Sequence, residues 1–151
     1  MSTDLWDFAR TLYARPGTED ICLRLQAGGA DVCLLLTGLW LEQRGVACLP
    51  ERCSALQGIA RPWQHEVVKP LRQLRRNWRH AAQQDRQLAL LCEQVKALEL
   101  QAERVLLEQL EQCSRDWPQE QAGDWLGSLA GLAARDSRDA LEDLRIAATA
   151  R

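Results

Sequence analysis

Asp31-Val32-Cys33-Leu34-Leu35-Leu36-Thr37-Gly38-Leu39-Trp40-Leu41-Glu42-Gln43-Arg44-Gly45 decides the fold of this chain. Asp31 is a natural N-cap, because its side-chain oxygen can accept the first orphan amide protons, and Gly45 can take the left-handed conformation that ends a helix. The ten residues from Val32 to Leu41 carry no charge. A helix that is apolar all round must be covered on every side. At about three turns it also falls well short of the roughly 20 apolar residues that a bilayer requires. The stretch is expected to be the buried central helix of an all-α protein.

Upstream, Leu5, Phe8, Ala9 and Leu12 stand at helical spacing, and Arg15-Pro16-Gly17 breaks that helix. Thr18 is placed to cap a second one, with Glu19 and Asp20 in its first turn and Ile21, Cys22 and Leu25 on its inner face. Downstream, Pro50 suits the first position of a helix holding Cys53, Leu56 and Ile59, which Arg61-Pro62 is expected to close. From Trp63 to about Ala82 a longer helix carries Val67, Leu71, Leu74 and Trp78 as one stripe. Pro70 should kink or split it near Val68-Lys69.

The longest regular pattern runs from Asp85 to about Cys113. There Leu88, Leu91, Val95, Leu98, Ala102 and Val105 follow alternating steps of three and four, a coiled-coil type seam, and Leu106, Leu110 and Cys113 continue on a shifted register. Trp125, Leu126, Leu129 and Leu132 suggest a weak helix interrupted by Gly127 and Gly131. Asp136 or Ser137 then caps a last one with Leu141, Leu144 and Ile146. The alternating period of a strand is missing. The expectation is therefore an all-α, single-domain helical bundle of seven or eight helices. Residues 1–60 surround the 31–45 helix, 61–115 form a long helical hairpin and 116–151 supply C-terminal helices.

A chain of 151 residues can bury a core without metal or disulfide help. Six cysteines could frame disulfides in a small secreted domain, but Met1-Ser2-Thr3-Asp4 shows neither a basic nor an apolar leader region, so free thiols in a reducing cytoplasm are expected. No membrane association is expected. A net charge of −2 argues against nucleic-acid binding by bulk charge and leaves room for a local basic patch.

Trp6-Asp7-Phe8-Ala9, Leu12-Tyr13, Arg15-Pro16-Gly17, Leu34-Leu35-Leu36, Leu39-Trp40-Leu41, Trp63, Val67-Val68, Pro70-Leu71-Arg72 and Arg75-Arg76 together resemble a family of small uncharacterised proteobacterial all-helical proteins of unknown function, over about residues 5–80. The resemblance implies a bacterial, cytoplasmic, helical protein and transfers no catalytic or binding residue. It also implies that Pro70 and the arginines beside it belong to the family pattern.

The strongest functional feature is a basic helix face. Lys69, Arg72, Arg76 and Arg79 recur at helical spacing, with Arg75 at the flank. Residues 61–86 hold seven Lys or Arg against Glu66 and Asp85, whereas residues 93–124 hold eight acidic residues against Lys96, Arg104 and Arg115. The two blocks could pair across a hairpin. If the face is free, arginine's planar fork suits carboxylates. The expectation is a non-enzymatic interaction or regulatory module docking an acidic protein partner through Lys69, Arg72, Arg75, Arg76 and Arg79, with Trp63 as an anchor.

The alternative is nucleic-acid binding by the same face, and the 88–113 helix offers a route to a homodimer. An enzyme is the minority alternative, and it demands a pocket that brings a histidine to a thiol or carboxylate. His65 and His80 stand far apart, no Cys-x-x-Cys pair or phosphate loop occurs, and no catalytic residue, metal or cofactor is assigned.

Overall fold

Every residue from Val32 to Leu41 of the central helix, α3 (Val32–Gln43), is buried. The computed structural model describes residues 4–121, 123–131 and 137–149; Met1 to Thr3, Leu132 and Asp136 lie outside them. Asp31 caps α3 by accepting the Leu34 N–H at 3.3 Å. At the other end Gly45 has φ 71° and Val46 N–H returns to the Leu41 carbonyl at 3.1 Å, the left-handed closure that a side chain would strain.

The cover comes from α1 (Asp4–Tyr13), α2 (Thr18–Ala27), α4 (Pro50–Trp63), α6 (Arg86–Ser114) and α7 (Trp125–Ala130), which all pack on α3, while α8 (Arg138–Thr149) lies on α2. Gly38 is the point of closest approach. A Cβ there would stand 3.1 Å from Leu129 Cδ1 and 3.2 Å from Trp125 Cβ, so its absence lets α7 settle onto α3. Among the described residues there is no strand, only an isolated bridge between Val46 and Gln119. The protein is an all-α single domain.

Three local expectations are revised. Thr18 is the first residue of α2 and does not cap it; Gly17, at φ 85°, occupies the cap position, and the Thr18 side chain is buried. Pro62 does not end α4, because the chain continues into a π-helical turn, Gln64–Val68, and then into α5 (Lys69–Ala82). The split foreseen near Val68-Lys69 takes this form. Pro70 has no N–H for the Glu66 carbonyl, and the wider turn, in which Lys69 N–H reaches back five residues to Gln64, changes the register where the α ladder fails. Finally, α6 opens at Asp85, which accepts the Gln87 and Leu88 N–H groups, but its seam divides. Val95 and Ala102 are buried, while Leu91, Leu98 and Val105 are exposed.

α5 and α6 form the expected antiparallel hairpin, joined by Gln83-Gln84-Asp85. The hairpin grows out of the bundle: Leu106, Leu107 and Leu110 in the last third of α6 belong to the core around α3. The C-terminal end is pinned to α3 by polar contacts. Glu42 accepts the Leu126 N–H at 3.0 Å and two hydrogen bonds from Arg145, which also reaches Asp124 at 2.9 Å, and Gln43 donates to the Ala148 carbonyl. Trp125 is fully buried, donates to the Val46 carbonyl and stacks on Trp117 at 5.8 Å.

Candidate functional site at the base of the hairpin

Where the π-helical turn passes the N-terminus of α3, a cleft of about 460 Å³ opens between the bundle and the hairpin. Its polar lining includes Asp31 at the cap of α3, Gln57 and Arg61 on α4, Gln64 in the π turn, Lys69 and Arg72 on α5 and Glu103 on α6. π turns redirect side chains that an uninterrupted α-helix would aim elsewhere. Here Gln64 is turned inward and donates to Asp31 at 3.0 Å. Asp31 thus ties the start of the central helix to the bend of the rod that runs from Pro50 to Ala82.

One turn further along, Glu99 is buried and bridges two arginines: Arg72 Nε at 3.1 Å, and Arg75 Nε at 2.7 Å with Nη2 at 3.4 Å. A buried carboxylate retains its charge only when paired and hydrogen-bonded in this way. Glu103, one turn beyond Glu99 on the same helix, has no such partner among the described residues. Burial pushes its carboxyl up to about 7, the Glu99 charge adds to the rise, and Arg72 opposes it. Asp31 is also raised by burial, against the lowering hydrogen bonds from Leu34, Cys33 and Gln64. Cys33, below them, is held well above the ordinary thiol range by burial, so it stays a neutral thiol at pH 7. Three carboxyls and two arginines therefore share one desolvated region, with a proton at Glu103 that leaves near neutrality.

The six residues selected from the sequence separate into two groups. Arg72 and Arg75 are part of the internal pairing with Glu99, and Trp63 donates to the Ala102 carbonyl at 2.9 Å while packing on the core, so it ties the π turn to α6. Lys69, Arg76 and Arg79 are exposed and have no carboxylate partner among the described residues. Lys69 lies in the cleft lining, and Arg76 and Arg79 carry positive charge along α5 toward the hairpin tip. Of the other tryptophans set beside helix breaks, Trp117 is half-buried and Trp125 fully buried, so both fill gaps between elements.

Sequence reasoning missed Gln64, Glu99 and Glu103 as site residues and saw Asp31 only as a cap. A signal for Glu99 existed: Cys92, Glu99 and Leu106 recur every seven residues beside the Val95 and Ala102 row, so a carboxylate sits on an inward face. Gln64 gave no signal, since only the π turn brings it inward. Among the described residues no group of three or more His, Cys, Asp or Glu is arranged to hold a metal, and both histidines are exposed outside the cleft. The six cysteines are free thiols, with Cys48 and Cys53 Sγ atoms 3.5 Å apart.

Neither the curated proteins nor the solved structures gave a match to this chain. A family model does match, and it runs through α5 and most of α6, taking in the whole cleft lining except Leu129, Ala130 and Gly131. The chain belongs, through residues 4–110, to the DUF2390 family of proteins of unknown function.

Proposed function

We propose that this protein is a non-enzymatic interaction module that docks an acidic segment of a protein partner along α5, from the cleft at Lys69 to Arg79. The observation that carries the proposal is the division of the basic face: Arg72 and Arg75 are fixed by Glu99, while Lys69, Arg76 and Arg79 stay exposed along the same side of α5. A partner's carboxylates would meet the exposed cations. The cleft end, with Gln57 and Gln64 amides beside the Asp31 and Glu103 carboxyls, offers both donors and acceptors to a peptide backbone. A peptide backbone can donate its N–H groups to the two carboxyls as well as accept from the two amides, whereas a phosphate can only accept, which favours a protein over a nucleic acid. Binding is favoured over catalysis because the cleft contains Cys33 as a neutral thiol and no histidine.

The test uses Lys69→Glu, Arg76→Glu, Arg79→Glu, a triple variant that leaves the Glu99 pairing intact and should keep the native helical circular dichroism. Both forms are used to capture partners from bacterial extract with and without nuclease. A protein bound by the native form after nuclease treatment and lost with the variant supports the proposal. Nucleic acid captured instead, with an affinity falling steeply and linearly in log salt, would move the protein to the phosphate-binding class. Capture unchanged by the variant would refute a role for this face.

A further inference from the structure

The two flanks of the hairpin differ completely in charge. On α5, Leu71, Arg75, Trp78 and Ala82 are partly buried against α6, with Arg72 at the edge of the contact where it also reaches Glu99, and on α6 Cys92, Val95, Glu99 and Ala102 form the facing row. At about 100° per residue, Lys69, Arg72, Arg76 and Arg79 rotate to one side of that contact, joined by Lys96 and Glu103 from α6. Leu74 on α5 and Leu91, Leu98 and Val105 on α6 rotate to the other. In an antiparallel pair, equal rotations away from the contact fall on the same side, so these residues share one flank. The Arg75–Glu99 and Cys92–Arg75 contacts set Leu74 at a level between Leu91 and Leu98.

This second flank is apolar and neutral. Leu91 is 49% exposed, Leu98 51%, Val105 38% and Leu74 36%, with Leu90 beside them at 61%. The polar positions interleaved with them are Gln73 and Asn77, which hydrogen-bond to each other, and Gln87, Gln94 and Gln101. From Pro70 to Ala81 and from Gln87 to Gln101, no position on this flank carries a charge. Monomers rarely leave so continuous an apolar strip bare.

We propose that a second copy of this chain covers the strip, the two hairpins packing as a four-helix bundle about a two-fold axis at Leu98. Charge selects this occupant. A neutral strip meets its own copy with no like charges opposed, whereas an acidic or basic partner would bury charges against leucine. The spacing also suits a two-fold axis. With the α6 helices antiparallel, Leu98 meets itself, Leu91 meets Val105 of the other copy, and Gln94 falls one residue, about 1.5 Å, from the level of Gln101, so the interface is isologous and closes without propagating into a fibre. The charged flank that carries Lys69, Arg76 and Arg79 stays free on both copies, so this inference stands whether or not the acidic-partner proposal does.

Sedimentation velocity of the full chain over a range of concentrations tests it. The native protein should run as a dimer. Leu98→Glu, which places two carboxylates at the axis, should raise the dissociation constant at least ~100-fold with unchanged circular dichroism. Leu100→Glu, at an equally exposed leucine on the opposite flank, should leave the dimer intact. Leu91→Glu should dissociate the dimer, and adding Val105→Arg on the same chain should restore it through the antiparallel match. A native chain that is monomeric at every concentration, a dimer indifferent to Leu98→Glu, or failure of the Val105→Arg rescue would overturn the proposal.

Discussion

Glu103→Gln should convert the pH dependence of stability into a direct measure of the cleft. In the folded protein the Glu103 carboxyl titrates at about 7, against an ordinary value of 4.5. Between those values the folded state holds a proton that the unfolded chain has released. Its contribution to stability is therefore complete below about 4.5 and is lost as pH rises through about 7. At 1.36 kcal/mol for each pH unit of displacement, the loss is at most about 3 kcal/mol, equivalent to roughly 6–12 °C of melting temperature for a chain of this size. Asp31, also raised, adds to the trend in the same direction. Thermal and urea unfolding of the native protein and of Glu103→Gln at pH 5, 6, 7 and 8 would show it. The variant should gain on the native protein as pH rises from 5 to 7 and level off by pH 8, the gap widening by up to about 3 kcal/mol, because glutamine cannot titrate. Parallel profiles would refute the reasoning, placing Glu103 in contact with water and ordinary in its chemistry.

Glu99→Ala should cost about 3–5 kcal/mol in urea unfolding, since it leaves Arg72 and Arg75 partly buried without their carboxylate; a loss below about 1 kcal/mol would show that water takes over the pairing. Glu99→Gln should lower the titration midpoint of Glu103, read by carbon-13 NMR, because the Glu99 charge helps to raise it; an unchanged midpoint would contradict the coupling. Glu42→Ala should lower stability by about 2 kcal/mol and raise hydrogen exchange at Leu126 and through α8, as it removes the acceptor shared by Leu126 and Arg145. Mild oxidation with diamide should join Cys48 to Cys53, whose sulfurs are 3.5 Å apart, before it touches the buried Cys22 and Cys33. Peptide mapping that finds another pairing first would count against the geometry.

The fold was legible wherever one residue type had one physical use. Ten uncharged residues between Asp31 and Gly45 could only be a covered helix, and they are. Asp85 and Pro50 mark helix starts as capping chemistry requires. Pro62 misleads because a proline penalises the helix without forbidding it, and the tertiary contacts of Leu56, Ala60 and Trp63 keep the chain helical through it. The cleft was less legible for a similar reason. Lys69 and Arg72 were identified by charge periodicity, but Gln64 enters only because the π turn shifts it inward. Glu99 and Glu103 were two of eight acidic residues able to pair with the basic block, and only burial separates them, one paired with two arginines and one left to hold a proton.

The α6 seam is the most instructive case, because the sequence pattern there is sound while α5 takes up only part of it. Leu88, Leu91, Val95, Leu98, Ala102 and Val105 do follow a heptad period, which ordinarily means one helix facing another along one line. Within the monomer α5 uses only part of that line. It contacts Val95 and Ala102 together with Cys92 and Glu99, a face rotated by the need to seat Glu99 against Arg72 and Arg75. The buried ion cluster thus turns α6 about its axis, and the turn expels Leu91, Leu98 and Val105 from the contact. A helix that had to satisfy only α5 could carry polar residues at those three positions without loss. Leucine and valine at those positions, at regular spacing and with glutamine in place of charge beside them, are what a second helix pairing requires. The paired arginines on one flank and the neutral strip on the other are therefore two consequences of one packing choice.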